Sequence, residues 1–152
     1  MDGTDLEILR LLQQDATLTN KDISARLHKS LAAIHERSRR LKEQGIIKRI
    51  VAILDRKQIN IGLIAFSHVV LVDHSTGPLG HFEKEISAFP EIMECFQVSG
   101  DVDFVLRVAT ENMDAYHTFY RKLTDLPNVQ KVLSFFVLSE TKSDTAYPLP
   151  TR

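Results

Sequence analysis

The chain has 152 residues, of which 43% are hydrophobic and 26% charged, and these proportions are typical of a globular protein rather than a disordered one. The sequence contains no apolar run of the roughly 18 residues that a membrane span needs, no secretory signal pattern at its acidic start, and a single cysteine, which excludes an internal disulfide. We therefore expect a cytoplasmic protein without contact to a membrane.

The net charge of −1 hides an asymmetry between the two halves of the chain. Residues 1–60 contain 12 Lys and Arg against 8 Asp and Glu, whereas residues 61–152 contain 7 against 12. A basic first half and an acidic second half suggest different partners, with the basic half facing a polyanion.

Residues 1–45 are predicted to form three helices. Thr4 followed by Glu7 has the spacing of a capping box, which predicts a first helix over about residues 5–14. Thr19 is the expected N-cap of a short second helix. After a three-residue connection, Ser30 is the expected N-cap of a longer third helix that ends near Gly45.

This arrangement is typical of a helix-turn-helix. The third helix is expected to turn Ile34, Leu41 and Ser38 inward, which leaves basic residues on its outer face. In such motifs the start of the recognition helix contacts base edges and basic residues hold phosphates. The candidate DNA-contacting residues are Asn20, Lys21, Ser30, Leu31, Ala32, Ala33, His35, Glu36, Arg37, Arg39 and Arg40.

Two alternatives stay open for this surface. In the first alternative, the charged face of the third helix only keeps the domain soluble and does not contact DNA. Arg37 is equally suited to an ion pair with Glu36 or Asp22, and His35 to a base or a phosphate contact.

The remaining residues predict a mixed α+β unit. The Ile- and Val-rich residues 46–54 predict a strand, and residues 55–62 a hinge. From residue 63 onward the order strand, helix, strand, strand, helix, strand is that of a ferredoxin-like βαββαβ fold. The predicted strands cover residues 63–72, 92–98, 104–108 and 129–138. The predicted organisation is a helix-turn-helix domain (1–45), a strand and hinge linker (46–62) and a ferredoxin-like effector-binding and oligomerisation domain (63–152).

Both faces of the last predicted strand are apolar, since Leu133, Phe135 and Val137 alternate with Val132, Phe136 and Leu138. Two helices cover one face of a four-stranded sheet, so the other face needs a partner. We therefore expect a homodimer.

The sequence shows no enzyme pattern: it has no Gly-rich phosphate loop, no nucleophile elbow and no His-Glu-x-x-His pair. The six histidines have no ligand spacing, so we expect no metal, no catalytic residues and no enzyme activity. Cys95 lies in a predicted strand and is expected to be a small buried hydrophobe.

The segment Ser99-Gly100-Asp101-Val102-Asp103 has two interpretations. Gly and Asp are favoured in tight turns, and on the residues alone this interpretation is preferred. A turn of this kind also exposes backbone N–H groups that bind a carboxylate, while an aspartate accepts a hydrogen bond from an ammonium group. The second interpretation makes the segment an amino-acid site.

Taken together, these motifs resemble the leucine-responsive regulatory protein/AsnC (Lrp/AsnC) family over nearly the whole chain. The segments that carry the resemblance are Asp5-Leu6-Glu7-Ile8-Leu9, Ser30 with Glu36-Arg37-Ser38-Arg39-Arg40-Leu41, Gly45-Ile46-Ile47, Val98-Ser99-Gly100-Asp101-Val102-Asp103-Phe104 and Asn112-Met113-Asp114-Ala115-Tyr116.

The resemblance implies a winged helix-turn-helix joined to a ferredoxin-like domain, in dimers that assemble further, often into octamers. It also implies a small amino-acid effector bound between dimers, and no other cofactor. Carried onto matching positions, the effector-binding residues are Ser99, Gly100, Asp101, Val102, Asp103 and Asn112, with Ser134, Phe135, Phe136 and Val137 contributed by neighbouring subunits.

The sequence departs from the family pattern at three places. Ser30-Leu31-Ala32-Ala33 stands where the family often has Ser-Pro-x-Pro, His35 where the residue is usually apolar, and Asn112 where Asp is common. The operator and the effector are therefore not transferable from relatives.

We expect a sequence-specific transcription regulator that binds double-stranded DNA and responds to an amino acid. The alternatives are an architectural, nucleoid-type DNA-binding protein without a ligand and a small-molecule-binding regulatory subunit of an enzyme.

Overall fold

The computed structural model describes residues 1–150 and divides into two compact units. The first contains Met1–Ile53 together with residues 141–150, and the second contains Leu54–Glu140. In chain order the helices and strands are α1 (Gly3–Gln14), α2 (Asn20–Leu27), α3 (Leu31–Glu43), β1 (Leu63–Leu71), α4 (Thr76–Ile86), β2 (Ile92–Gln97), β3 (Phe104–Thr110), α5 (Met113–Thr124) and β4 (Val129–Phe136).

The first unit is a three-helix arrangement around a small apolar core. Its buried hydrophobic side chains are Leu6, Ile8, Leu9, Ile23, Ile34 and Leu41. Thr19 and Ser30 cap α2 and α3 as predicted, and Gly45, with φ of +70°, follows the end of α3 in the left-handed conformation that glycine adopts readily.

The predicted start of α1 is wrong by two residues. The N-cap is Asp2, not Thr4, and the capping box is formed by Asp2 and Asp5 rather than by Thr4 and Glu7. The Asp2 carboxylate accepts a hydrogen bond from the Asp5 amide, and the Asp5 carboxylate accepts one from the Asp2 amide. The two carboxylates therefore satisfy the backbone N–H groups of Asp2 and Asp5, and the helix begins two residues before the predicted start.

The predicted strand over residues 46–54 does not form. Within residues 1–150 this segment has no paired neighbour, and Ile50, Val51, Ile53 and Leu54 are exposed. Strand propensity reflects packing against adjacent strands, so Ile- and Val-rich sequence without such a neighbour stays irregular in a single chain.

Residues 141–150 lie in the first unit, whereas the sequence-based division placed them in the C-terminal domain. Leu149 packs against the core of the three helices. The Gln13 side chain accepts a hydrogen bond from the Tyr147 amide (2.7 Å) and donates one to the Tyr147 carbonyl (3.2 Å). The Gln13 side chain thus binds both the N–H and the C=O group of Tyr147, as the backbone of an adjacent strand would.

The second unit has the predicted βαββαβ order. Its four strands form one antiparallel sheet in the order β2-β3-β1-β4. One face packs against α4 and α5 around a core that includes Ala65, Val69, Phe82, Phe104, Leu106, Val108, Phe119 and Leu123.

The other face of the sheet is open and apolar. Alternation along the strands places Phe66 of β1, Phe96 of β2 and Phe135 of β4 on this face, and Phe96 and Phe135 are 52% and 55% exposed. Cys95 points the other way but is also exposed, because β2 is an edge strand. The expectation of a buried cysteine is therefore wrong for the single chain.

Candidate functional site

The start of α3 forms an exposed edge of the first unit. Ser30 caps the helix by accepting a hydrogen bond from the Ala33 amide (3.3 Å). Leu31 is 52% exposed, and Ala32 and Ala33 are exposed beside it. The buried stripe of α3, formed by Ile34, Ser38 and Leu41, holds the helix against the core so that this edge faces solvent.

The basic residues on the other flank of α3 are held by the start of α1. Arg37 donates hydrogen bonds to the carboxylates of Asp2 (2.7 Å) and Asp5 (2.8 Å), and Arg40 donates one to Asp5 (3.1 Å). Asp5 is only 1% exposed. The prediction that Arg37 pairs with Glu36 or Asp22 is therefore wrong, although the expectation that it has an acidic partner is confirmed.

The charges of this cluster stabilise one another. Burial alone would raise the pKa of Asp5, but the hydrogen bond from the Asp2 amide and the interaction with Arg37 lower it below its ordinary value. The Asp2 and Asp5 side chains raise the pKa of Arg37. The cluster is therefore fully ionised near neutral pH.

Arg39 lies between two glutamates on the exposed face of α3. Its guanidinium contacts both carboxylate oxygens of Glu36 (2.8 and 2.9 Å) and one oxygen of Glu43 (2.7 Å). Arg39 holds the pKa of Glu36 below its usual range. The three side chains together carry a formal charge of about −1, so the two glutamates more than offset the positive charge of Arg39.

A second exposed pair joins α2 to α3. The amide nitrogen of Asn20, the first residue of α2, lies 3.1 Å from Nδ1 of His35. Lys21 is exposed next to it. The structure therefore brings Asn20, Lys21 and His35 close to the start of the third helix.

In the second unit the loop 99–103 joins β2 to β3. Ser99, Gly100 and Asp101 are exposed, and Gly100 has φ of +129°, a conformation that side chains rarely adopt. Val102 and Asp103 are partly buried. The loop therefore presents the Asp101 carboxylate and the backbone around Gly100 to solvent.

Asp103 fixes the loop instead of facing solvent. Its carboxylate accepts a hydrogen bond from the Leu71 amide (2.7 Å) and lies 2.9 Å from Nε2 of His74. Its own amide donates to the Val69 carbonyl (2.9 Å). Asp103 thus links the loop to the end of β1, whereas the Asp101 side chain is exposed.

The other predicted effector residues do not converge on this loop within one chain. On β4 the Ser134 hydroxyl accepts a hydrogen bond from Tyr116 (2.5 Å) and Phe136 packs on the same tyrosine ring, whereas Phe135 and Val137 belong to the open face. The Asn112 side chain caps α5 by accepting from the Ala115 amide (3.0 Å).

Asn112 also lies at the opposite end of β3 from the loop. Seven strand residues separate the two, which corresponds to roughly 20 Å. A site containing all the predicted effector residues therefore requires more than one copy of the chain.

The sequence reasoning missed several partners of these site residues, among them Asp5, His74 and Glu43. Asp5 is 32 positions from Arg37, His74 is 29 positions from Asp103, and Glu43 approaches Arg39 from the next turn of the helix. The first two pairs have no local sequence signal. The third follows the i, i+4 spacing of helical ion pairs and was accessible from the sequence.

Residues 1–150 contain no group of three or more His, Cys, Asp or Glu side chains placed to hold a metal ion. Across the same residues, every helix is too short or too polar to cross a membrane.

Two family models match the chain. A model described as the Lrp/AsnC ligand binding domain matches residues 64–147, and a model described as winged helix-turn-helix DNA-binding matches residues 1–48. Together they span both units of the fold.

Proteins and structures similar along their whole length include known regulators. The Glutamate uptake regulatory protein of Zymomonas mobilis is 33% identical over 99% of this chain and 92% of its own length. The Bkd operon transcriptional regulator of Pseudomonas aeruginosa is 35% identical over 98% of each chain. The crystal structure of an AsnC family transcriptional regulator from Agrobacterium tumefaciens has a TM-score of 0.93 at 34% identity and 97% coverage of both chains.

A further similar structure contains a ligand. It is a complex of L-methionine with a transcriptional regulator from Neisseria meningitidis, with a TM-score of 0.92, 32% identity and coverage of 97% of this chain and 96% of that one.

Proposed function

Because the chain belongs to the Lrp/AsnC family of transcription regulators, we propose that it is a sequence-specific DNA-binding regulator whose DNA affinity or assembly is modulated by a small amino acid bound between dimers. The observation that carries the proposal is the exposed outer face of α3 in a helix-turn-helix unit, joined in one chain to a sheet unit of the amino-acid-binding family.

The DNA-binding surface we propose is the start of α3 with the adjoining start of α2. Leu31, Ala32 and Ala33 are small or apolar and suit contacts with thymine methyl groups, and His35 is placed for a base edge. Lys21 supplies positive charge for a phosphate, and Arg39 does so when a phosphate replaces the Glu43 carboxylate at its guanidinium. Arg37 and Arg40 act mainly by fixing the angle of α3, since the Asp5 carboxylate already binds both.

The effector site we propose is centred on the loop 99–103. The Asp101 carboxylate suits the ammonium group of an amino acid, and the exposed backbone around Gly100 suits its carboxylate. The methionine complex of the Neisseria relative supports an amino acid as the ligand class. The site needs no other cofactor, and the role is regulatory rather than catalytic.

The open sheet face supports a homodimer. Phe66, Phe96, Leu133 and Phe135 form an exposed apolar surface of the kind that proteins bury against a partner. The two-fold symmetry of such a dimer would supply two recognition helices for a palindromic operator in the cytoplasm. Further assembly, as in an octamer, would bring the loop of one dimer beside Asn112 or β4 of another.

The proposal is tested by fluorescence anisotropy with labelled DNA from upstream of the protein's own gene. Random DNA is the competitor, salt is fixed, and each standard amino acid is added in turn, beginning with L-methionine. We expect preference for the specific DNA and a shift in affinity with one or a few amino acids. Binding without preference or amino-acid response would instead identify an architectural protein, and absence of DNA binding would refute both.

Two variants locate the effector site. Asp101→Ala is expected to abolish the response to the amino acid and leave DNA binding intact. Asp125→Ala, which removes another exposed aspartate of the same unit, is the control and should respond normally. A normal response by Asp101→Ala would remove the loop from the site.

A further inference from the structure

The contact between Asn20 and His35 determines which ring nitrogen of the histidine carries a proton. The two residues meet through the Asn20 amide nitrogen and His35 Nδ1, 3.1 Å apart. An amide nitrogen donates hydrogen bonds and does not accept them, so Nδ1 is the acceptor. A neutral imidazole with an accepting Nδ1 has its proton on Nε2.

The position of His35 places this donor at the DNA-facing edge of the helix. His35 is exposed in the second turn of α3, directly after the buried Ile34. In helix-turn-helix proteins the outward residues near the start of the recognition helix reach base edges. The arginines further along α3 are already bound to carboxylates of Asp5, Glu36 and Glu43.

We propose that His35 is a specificity-determining residue that donates Nε2–H to a base in the major groove, and that Asn20 is the positioning residue that fixes this tautomer and the ring orientation. The inference rests on the proposed DNA-binding function. Guanine presents two acceptors, N7 and O6, in the major groove, whereas cytosine presents an amino donor there. Adenine N7 and thymine O4 are also acceptors, but each lies beside an amino donor or a methyl group. His35 therefore favours guanine, which offers two adjacent acceptors, and rejects cytosine at one position of each half-site.

The proposed contact between His35 and guanine is tested by selecting DNA-binding sites. Binding sites are selected from a random library with the wild-type protein and with His35→Ala, Asn20→Ala and the double variant. Gln14→Ala, which removes another side-chain amide at the exposed end of α1, outside the proposed DNA-binding surface, is the matched control. We expect His35→Ala to lose the guanine preference at one position, with affinity for the wild-type site lowered about 3- to 10-fold.

If Asn20 acts by positioning His35, the effect of replacing Asn20 depends on whether His35 is present. Asn20→Ala should weaken the same guanine preference and leave other positions unchanged, and it should have no further effect on that preference in the His35→Ala background. A guanine preference that survives in His35→Ala, or an Asn20 effect of equal size with and without His35, would overturn the proposal.

The base atom is identified by replacing the selected guanine with 7-deazaguanine, which lacks the N7 acceptor, or with inosine, which keeps both N7 and O6. We expect 7-deazaguanine to weaken the wild type and not His35→Ala, and inosine to bind as guanine does. If 7-deazaguanine weakens both proteins equally, His35 does not contact N7. Salt-dependent DNA binding by the wild type, measured in parallel, shows whether such a result overturns only this inference or the DNA-binding function as well.

Discussion

The charged cluster at the start of α1 predicts that Asp5→Asn destabilises the first unit. The Asp5 carboxylate accepts hydrogen bonds from the Asp2 amide (2.9 Å), Arg37 (2.8 Å) and Arg40 (3.1 Å) while being 1% exposed. Asparagine keeps one oxygen but brings an amide group, which donates hydrogen bonds, towards Arg40 together with either Arg37 or the Asp2 amide. The substitution thus removes the charge and leaves donors facing donors.

The magnitude follows from these contacts. Hydrogen bonds to charged groups contribute about 1.5–3 kcal/mol each, but Arg37 keeps its contact with Asp2 and Arg40, 42% exposed, regains water. We therefore expect a loss of about 2–3 kcal/mol in the free energy of unfolding. For a unit of this size each kcal/mol lowers Tm by about 4–8 °C, which gives a decrease of roughly 10–20 °C.

The measurement is thermal and urea unfolding followed by circular dichroism, with Asp15→Asn as the matched control. Asp15 is exposed and accepts only local hydrogen bonds from Thr17, so its substitution should cost less than about 0.5 kcal/mol. If Asp5→Asn changed stability no more than the control, the cluster would not hold α3 in place.

The same cluster predicts how the difference depends on pH. The folded-state pKa of Asp5 is lowered relative to the ordinary value of 3.8, so its stabilisation is complete above that value and is lost as pH falls through the lowered pKa. Urea midpoints of the wild type and Asp5→Asn should differ equally at pH 7 and pH 5, and the difference should shrink as the pH falls below about 4. A difference that stayed constant down to pH 3 would show that the ionised Asp5 carboxylate is not the source of the stabilisation.

Three further predictions concern DNA binding, packing and assembly. Glu43→Gln removes one carboxylate partner of Arg39, which then can contact one more DNA phosphate. This extra contact should tighten DNA binding up to about 8-fold at 0.1 M salt and steepen the salt dependence of the affinity by about 0.9. Glu7→Gln, which makes the same charge change on α1, should leave both unchanged. Ser38→Ala should raise the stability by about 1 kcal/mol in urea unfolding, because the Ser38 hydroxyl is buried with no hydrogen-bond partner among residues 1–150, and an unchanged or lower stability would refute this. Phe135→Glu should abolish the proposed homodimer and give a monomer in sedimentation, whereas Tyr147→Glu, at another exposed aromatic residue, should not.

Local patterns predicted most of the fold. Thr19 and Ser30 cap helices in the structure because their hydroxyls accept hydrogen bonds from amides within the next three residues. The alternation of apolar residues on the strands likewise predicted one covered and one open sheet face. Each of these features depends on residues close together in sequence.

The features that the sequence did not predict depend on distant or missing neighbours. The partners of Arg37 are two aspartates at the start of the chain, and only the packing of α3 on α1 brings them together. Among the described residues 1–150, the Ile- and Val-rich segment 46–54 has no adjacent strand, so its composition alone does not produce one. The DNA-contacting and effector-contacting roles themselves stay predictions, since each needs a second molecule to be tested.

The docking of residues 141–150 on α1 makes the DNA-binding unit discontinuous in sequence, with the sheet unit inserted between residues 53 and 141. A protease that cuts once in the exposed segment 46–54 would therefore produce two fragments that each carry part of the helical core. Leu149 and the Gln13–Tyr147 pairing would still hold the C-terminal fragment to the helices. A nicked protein of this kind should migrate as one species until it is denatured, and a gene split in this segment should yield two polypeptides that reassemble.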